Sequence, residues 1–510
     1  MHRQLTATLL ALVLLAGAAS PAAAQPAAIG GTVTDGSGSP LAGIAVTLVA
    51  AENPSDPVVT SSTAGDGTWS ADLPDGDYHL LVSDPDGAHA YAWWPDDAAP
   101  QQPVRVRGGG TTQDLDLALN PGARVSGRVL GPSGPVAGAR VRLAGTPLSP
   151  ARAETAADGR FELAGLREGA STLVATTSAA ELSDASATVD VERGGTATVE
   201  LLVHRVPVGV ERVSGSERVA TAVEASRRGF PRADTVVIAA AGAFPDALAA
   251  SPLAATVGGP LLLVGPRLTP PVLEEVRRLG ASAAVIVGAV AAVPLVVQEE
   301  LARAGLRVRR IAGDSRFDTA ALIAREVGGG SGRAILASGL EFADALSVAP
   351  LAAAERIPIL LTAPDHLVGD TARALDDLGV TETLVVGGSA AVSDAALRGV
   401  PSPTRVYGRT RYETSLAIAR HWAERGMSMQ TVSVATGRNF PDALAAGPIA
   451  GLADGPLLLV DGQDPRTPGD TYAWITQQRG DIAGIQIFGG TAAVTSAVAA
   501  RLEQALGVGR

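Results

Sequence analysis

The sequence predicts a multidomain chain in which two small β-sandwiches precede three α/β units built on parallel sheets. Three observations predict it. Before residue 205, short alternating strands are broken by Gly, Asp and Pro turns, and the whole pattern occurs twice. After residue 205, apolar strands alternate with amphipathic helices, the texture of parallel α/β structure. Within that second half a four-part block recurs three times in the same order. The length agrees, since 510 residues at roughly 100–200 per domain exceed any single core. The divisions fall at 1–24, 25–120, 121–204, 205–308, 309–403 and 404–510.

The first segment runs from Arg3 through an apolar stretch, Leu5 to Ala16, to Ala22-Ala23-Ala24, which reads as a secretory signal cleaved after Ala24. Its apolar run is short of the roughly 20 residues a membrane span needs, and no later stretch is long and apolar enough. The chain has no cysteine, which excludes disulfides, thiolate metal sites and thiol nucleophiles. All 40 basic residues are arginine, so no lysine is present for Schiff-base chemistry. The formal charge of −12 is unevenly placed. Residues 25–204 carry 10 Arg against 22 Asp and Glu, whereas residues 205–510 carry 29 against 30. An acidic front half argues against nucleic acid as a partner, because that binding rests on phosphate neutralisation.

In the first β pattern, GGTVTDGSGSPLAGIAVTLVA is followed by TAGDGTWSADLPDGDYHLLV; in the second, SGRVLGPSGPVAGARVRLAG by TAADGRFELAGLREGASTLV. Gly31 matches Gly127, Pro40 matches Pro135, Gly43 matches Gly138, and Asp66-Gly67 matches Asp158-Gly159. The Asp-Gly pairs read as turns needing positive φ. Both copies resemble the carboxypeptidase regulatory-like, transthyretin-type β-sandwich. The resemblance implies spacer or adhesive modules without peptidase activity. Trp93 and Trp94 are expected to fill the sandwich and cap its edge. Two alternatives stand beside that reading: stacking of the tryptophans on sugars, and calcium held by the nearby Asp84, Asp86, Asp96 and Asp97.

The threefold block opens with RVSGSERVATA at Arg212, RIAGDSRFDTA at Arg310 and RVYGRTRYETS at Arg405. Its second part is GAFPDALAASPLAA, GLEFADALSVAPLAA and GRNFPDALAAGPIAG, and its third is GPLLLV, IPILLT and GPLLLV. The fourth is VIVGAVAAV, LVVGGSAAV and IQIFGGTAAV. These blocks resemble the type 2 cell-wall-binding repeat over about 300 residues. The resemblance implies a triple module packed with pseudo-threefold symmetry. It further implies non-covalent anchoring to an anionic secondary polymer of the Gram-positive wall. The first repeat departs from the pattern at Val219, where the others have Phe317 and Tyr412, and at Ala289, where they have Gly388 and Gly490. Its site is expected to be weaker or structural.

Each repeat reads as four strand-helix steps; in the second, VRVRRIAG leads into SRFDTAALIARE and TLVVGG into SDAALRG. Asp314 or Ser315 is the expected cap of the first helix, and Gly379 a helix stop. The triplets Leu261–Leu263, Ile359–Leu361 and Leu457–Leu459 are expected as central strand, and Phe244, Phe342 and Phe440 as core anchors. Arg218, Arg316 and Arg411 each stand three residues after a repeated glycine and three before Thr221, Thr319 and Thr414. Asp246, Asp344 and Asp442 each follow a repeated phenylalanine by two residues, near a helix start that favours a carboxylate. Two readings stay open. Each arginine braces the aspartate of its own repeat, or its planar fork meets a phosphate or carboxylate of a ligand. Arg212, Arg310 and Arg405 can line the same rim.

Enzymatic chemistry finds little purchase. The histidines are His2, His79, His89, His204, His366 and His421, none at a repeated position and none in an HExxH pair, so no metal or cofactor is expected. No GxSxG is present, and the glycine-rich loops at Gly387 and Gly489 lack a P-loop lysine. Three copies of one constellation suit multivalent binding better than one asymmetric reaction centre. The expected protein is secreted, wall-associated and non-catalytic; the alternative is a wall amidase or glycosidase whose catalytic site the motifs do not reveal.

Overall fold

The computed structural model describes residues 27–508 apart from 96–101, 108–110, 113, 133, 145–147, 149–150, 180, 243–244, 329 and 426–427. The signal segment 1–24, Phe244, Asp96 and Asp97 lie outside the described residues.

Both β patterns form two-sheet sandwiches. In the first, Ala27–Asp35 pairs antiparallel with Thr68–Leu73 and parallel with Leu117–Leu119, facing a sheet ordered Asn53–Ser62, Ala45–Ala50, Gly76–Ser83, Ala92–Trp93. In the second, Ala123–Gly131 lies between Arg160–Leu166 and Thr196–Leu202, facing the sheet centred on Arg140–Leu143 and Gly169–Thr176. The matched turns are built alike. Gly67 and Gly159 have φ of +77° and +74°, and a Cβ on either would stand 2.6 Å from the carbonyl oxygen of Val33 or Val129. Only glycine satisfies both demands.

Trp93 is fully buried and Trp94 half-buried, so neither ring is presented as an open sugar platform. Trp93, Tyr91, Val49 and Leu81 of the first sandwich pack into the hydrophobic core of the second. The Tyr91 N–H donates to the Gly165 carbonyl at 3.0 Å, and a Cβ on Gly87 would collide with that of Ala164 at 2.3 Å. The two modules therefore meet through packed side chains and close backbone contact.

The α/β half is a closed ring of three four-stranded parallel sheets. Each sheet has as its two inner strands a pair such as Thr235–Ala240 and Ala283–Val287, flanked by Leu261–Val264. The fourth strand is the opening strand of the following repeat. Arg307–Ile311 pairs with Ala283–Val287, and Pro403–Val406 pairs with Glu382–Val386. Gly209–Val213 closes the ring on Gly484–Phe488. Each repeat thus hands its opening strand to the sheet of the repeat before it. A right-handed crossover through the helix Leu295–Arg303 places the next strand beside the one just left, whichever repeat it begins. A departure from the expected strand-helix steps lies at SDAALRG, where residues 393–400 form turns and no helix. Six residues before Gly399, with Pro401 two further on, give no room for one.

The triplets are buried strand, all nine residues being at most 2% exposed, but each lies at the edge of its sheet rather than at the centre as expected, covered by packed helices instead of by further strands. Ser315 caps its helix by accepting from the Asp318 N–H, and Gly379 with φ +60° follows the C-cap Leu378. Three helices, Ala250–Thr256, Ala343–Glu355 and Pro441–Leu452, pack side by side about the axis. They approach through small residues. A Cβ on Gly447 would meet Ser251 Oγ at 2.4 Å and the Ala349 Cβ at 3.2 Å, so the backbones touch where a larger side chain would hold them apart. The Phe342 and Phe440 rings make an edge contact at 5.9 Å at the N-terminal ends, and Gly451 packs on Ala353 at the C-terminal ends. The three helices thus run in the same direction.

The second β module sits against their C-terminal ends. A cavity of about 890 Å³ is lined by Ala185–Ala187 and His204 on one side and by Gly258, Arg356 and Asp454 on the other. Around it the seam is crossed by the ion pair Arg232–Glu200, while Arg205–Glu211 fixes the connecting strand and Ser183 and His204 exchange hydrogen bonds within the β module.

Candidate functional site

Three equivalent junctions form where neighbouring repeats meet, all at the N-terminal ends of the axial helices. Each begins with an aspartate in a helix first turn: Asp246, Asp344 and Asp442. Their partners stand in the next repeat around the ring. Asp246 accepts from the Thr319 hydroxyl and faces Arg316; Asp344 accepts from Thr414 and faces Arg411; Asp442 accepts from Thr221 and faces Arg218. The own-repeat pairing considered for these residues is therefore not what the chain adopts. Burial pushes all three carboxyl groups above their ordinary pKa, opposed by the threonine bond and the arginine charge.

The threonine is held by a local turn. Its Oγ1 accepts from the N–H of Gly215, Gly313 or Gly408 at 3.1–3.2 Å, which leaves the hydroxyl proton for the aspartate across the junction. Arg218, Arg316 and Arg411 each donate through one terminal nitrogen to a backbone carbonyl, of Ala241, Gly339 and Gly437, at 2.7–3.0 Å. Arg411 also lies 5.2 Å from the centre of the Phe342 ring. Arg212, Arg310 and Arg405 stand on the donated strands and reach back to the carbonyls of Gly489, Gly288 and Gly387 at 2.7–2.8 Å.

Those last glycines close the constellation. Gly288, Gly387 and Gly489 have φ of +102°, +105° and +109°, and a Cβ on each would stand 2.5–2.6 Å from the Oδ2 of Asp246, Asp344 or Asp442. Each junction is thus one unit of Arg, Gly, Asp, Thr and Arg spanning two repeats. All six arginines spend a terminal nitrogen on a backbone carbonyl, and each junction sets two of them against one repeated carboxylate. Arg405 also pairs with Asp394, and Arg310 with the amide of Gln298. The sequence alone assigns the repeated threonines no role and gives the glycines at 387 and 489 only a tight strand-to-helix turn, although the recurrence of both at fixed spacing is a visible signal.

The departure at Val219 in the first repeat has a local steric explanation. A Cβ on Gly339 would stand 2.5 Å from the Phe317 ring, and one on Gly437 would stand 2.7 Å from that of Tyr412. The first repeat carries Ala241 at this place and Val219 in place of the aromatic. The smaller side chain makes room for the extra methyl, while the arginine-to-carbonyl bond is kept.

Among known proteins, residues 212–298, 310–397 and 405–499 match the family described as Cell wall binding domain 2 (CWB2). Residues 28–120 and 124–203 match the Carboxypeptidase regulatory-like domain. The N-acetylmuramoyl-L-alanine amidase LytC of Bacillus subtilis (strain 168) is 32% identical over 295 residues, 58% of this chain and 58% of that protein. The Amidase enhancer of the same organism is 29% identical over 255 residues, 49% of this chain and 34% of that protein. The chain thus spans about a third to somewhat over half of these relatives' lengths. The solved structure of Cwp6 from Clostridium difficile aligns with a TM-score of 0.53 at 17% identity, covering 83% of this chain and 66% of that one.

Proposed function

This chain belongs to the Cell wall binding domain 2 family, and from that premise we propose that it anchors itself non-covalently to an anionic secondary polymer of the Gram-positive cell wall. The observation that carries the proposal is the polarity of the ring. Six arginines gather at the N-terminal ends of three parallel helices, where helix dipoles also favour negative charge. The β modules are attached at the opposite ends of the same helices. An axial helix of 13 residues separates the two ends by roughly 20 Å. A ring bound through its arginine face would hold the tandem sandwiches pointing away from the polymer, as a spacer or display element.

Repetition supplies the affinity in this reading. Each junction offers partly used guanidinium groups suited to phosphate or carboxylate, and three linked junctions bind with avidity rather than with one deep pocket. The protein is proposed to be exported, wall-associated and non-catalytic. The similarity to LytC, whose name is that of an amidase, favours wall hydrolysis as a second reading. Co-sedimentation of the full chain with purified walls, before and after extraction of their anionic polymers, tests the first. Binding should fall on extraction and with rising salt. Clearing of a wall suspension by the purified chain would establish the second.

A further inference from the structure

The three junctions share a brace but differ in what they expose. The position after the donated strand is Ser214 at the junction of repeats 3 and 1, Ala312 at that of repeats 1 and 2, and Tyr407 at that of repeats 2 and 3. Tyr407 is 55% exposed, one of the few large apolar side chains so open among the described residues. Its ring lies over Gly388 of the preceding repeat, with Cδ2 3.4 Å from where a Cβ would stand. One side of the ring thus rests on bare backbone, and the hydroxyl has no hydrogen-bond partner among the described residues. Arg405, two residues earlier, is pinned to the Gly387 carbonyl and Asp394. Arg409, two residues later, is paired with Glu413.

A half-exposed aromatic ring supported by backbone, with the pinned Arg405 and the exposed Arg409 two residues to either side, is chemistry for a sugar carrying negative charge. The ring offers an apolar face to the C–H groups of a pyranose, while the cations meet phosphate or carboxylate. We infer that Tyr407 is the carbohydrate-contacting residue of the ring, stacking on a pyranose unit of the anionic polymer at the junction of repeats 2 and 3. The other two junctions, with Ala312 and Ser214, present charge without a platform. This rests on the anchoring reading and adds to it that the polymer contains sugar and that the three junctions are unequal.

The test uses the full chain and purified Gram-positive walls that retain their anionic polymer, over a series of salt concentrations. Tyr407→Ala should weaken binding roughly three- to tenfold, the range of an aromatic contact. The slope of affinity against salt should stay unchanged, because no charge is removed. The melting temperature should stay as in wild type, and Tyr407→Phe should keep wild-type affinity because stacking needs no hydroxyl. Wild-type binding by Tyr407→Ala would overturn the inference. So would an equal loss in Tyr407→Phe, a flattened salt slope, or a lowered melting temperature. Failure of the unaltered chain to bind walls at all would instead remove the anchoring reading, and this inference with it.

Discussion

At the scale of single residues, the junction leaves little freedom. Gly387 combines a φ of +105° with a carboxylate oxygen 2.5 Å from any added Cβ. Gly387→Ala should therefore destabilise the ring by at least roughly 1–3 kcal/mol, the cost of a non-glycine residue in such backbone, before the displaced Asp344 is counted. Thermal melting of the full chain checks it, and an unchanged melting temperature would contradict the constellation as described. A second prediction follows from Gly339 and Phe317. Gly339→Ala alone should cost roughly 1–3 kcal/mol by overpacking against the ring. The pair Phe317→Val with Gly339→Ala recreates the Val219 and Ala241 of the first repeat and should cost less than the sum of its parts. A double-mutant cycle on chemical denaturation reads that coupling directly, and strict additivity would show that the two positions are independent.

At the scale of elements, much of the chain was legible because its patterns are local. Positive-φ turns at Asp-Gly, the buried triplets, the Ser315 cap and the Gly379 stop each follow from a few neighbouring residues. The cross-repeat connections were not legible in the same way. Three near-identical copies of Arg, Thr and Asp look the same whether a pair forms within one repeat or between two, and proximity in sequence favoured the wrong choice. A signal was nonetheless present. The strand Arg307–Ile311 follows Ala283–Val287 through one helix, and a right-handed crossover of that length places it beside its predecessor. Strand donation carries a prediction of its own. Removing residues 405–510 takes away the sheet on which Gly209–Val213 closes and uncovers the axial faces of the helices Ala250–Thr256 and Ala343–Glu355. Such a chain should aggregate, as contiguous apolar faces do in water. A soluble, cooperatively unfolding product by gel filtration and calorimetry would show that the repeats fold as separate beads.

At the scale of the whole molecule, the chain has a direction. Its arginine face lies at one end of the axial helices, the second β module at the other, and the first β module is reached through the second. Residues 25–120 contain 2 Arg against 13 Asp and Glu, so almost all the excess negative charge sits in the module most removed from the proposed polymer-binding face. That direction depends on the seam at His204. The residue is 8% exposed, its Nδ1 has no hydrogen-bond partner, and its ring bonds to the backbone of Gly229 in the ring half. Burial pushes its pKa down to about 4 from 6.5. A histidine with a depressed pKa binds its proton less readily when docked than when released. The docked seam therefore holds its full stability above pH 6.5 and loses it progressively as pH falls toward 4, by on the order of 3 kcal/mol in total. The three junction aspartates act oppositely. Their raised pKa values mean that the folded ring binds protons more readily than the unfolded chain, so acidification through the carboxylate range favours the junctions. Acid should consequently loosen the attachment of the β modules while the ring persists. Between pH 7 and 4, hydrogen exchange should rise first around residues 203–206 and 229–230, ahead of the central strands. His204→Gln, which cannot take up a proton, should abolish that early rise, and an unchanged acid response in this variant would place the sensitivity elsewhere.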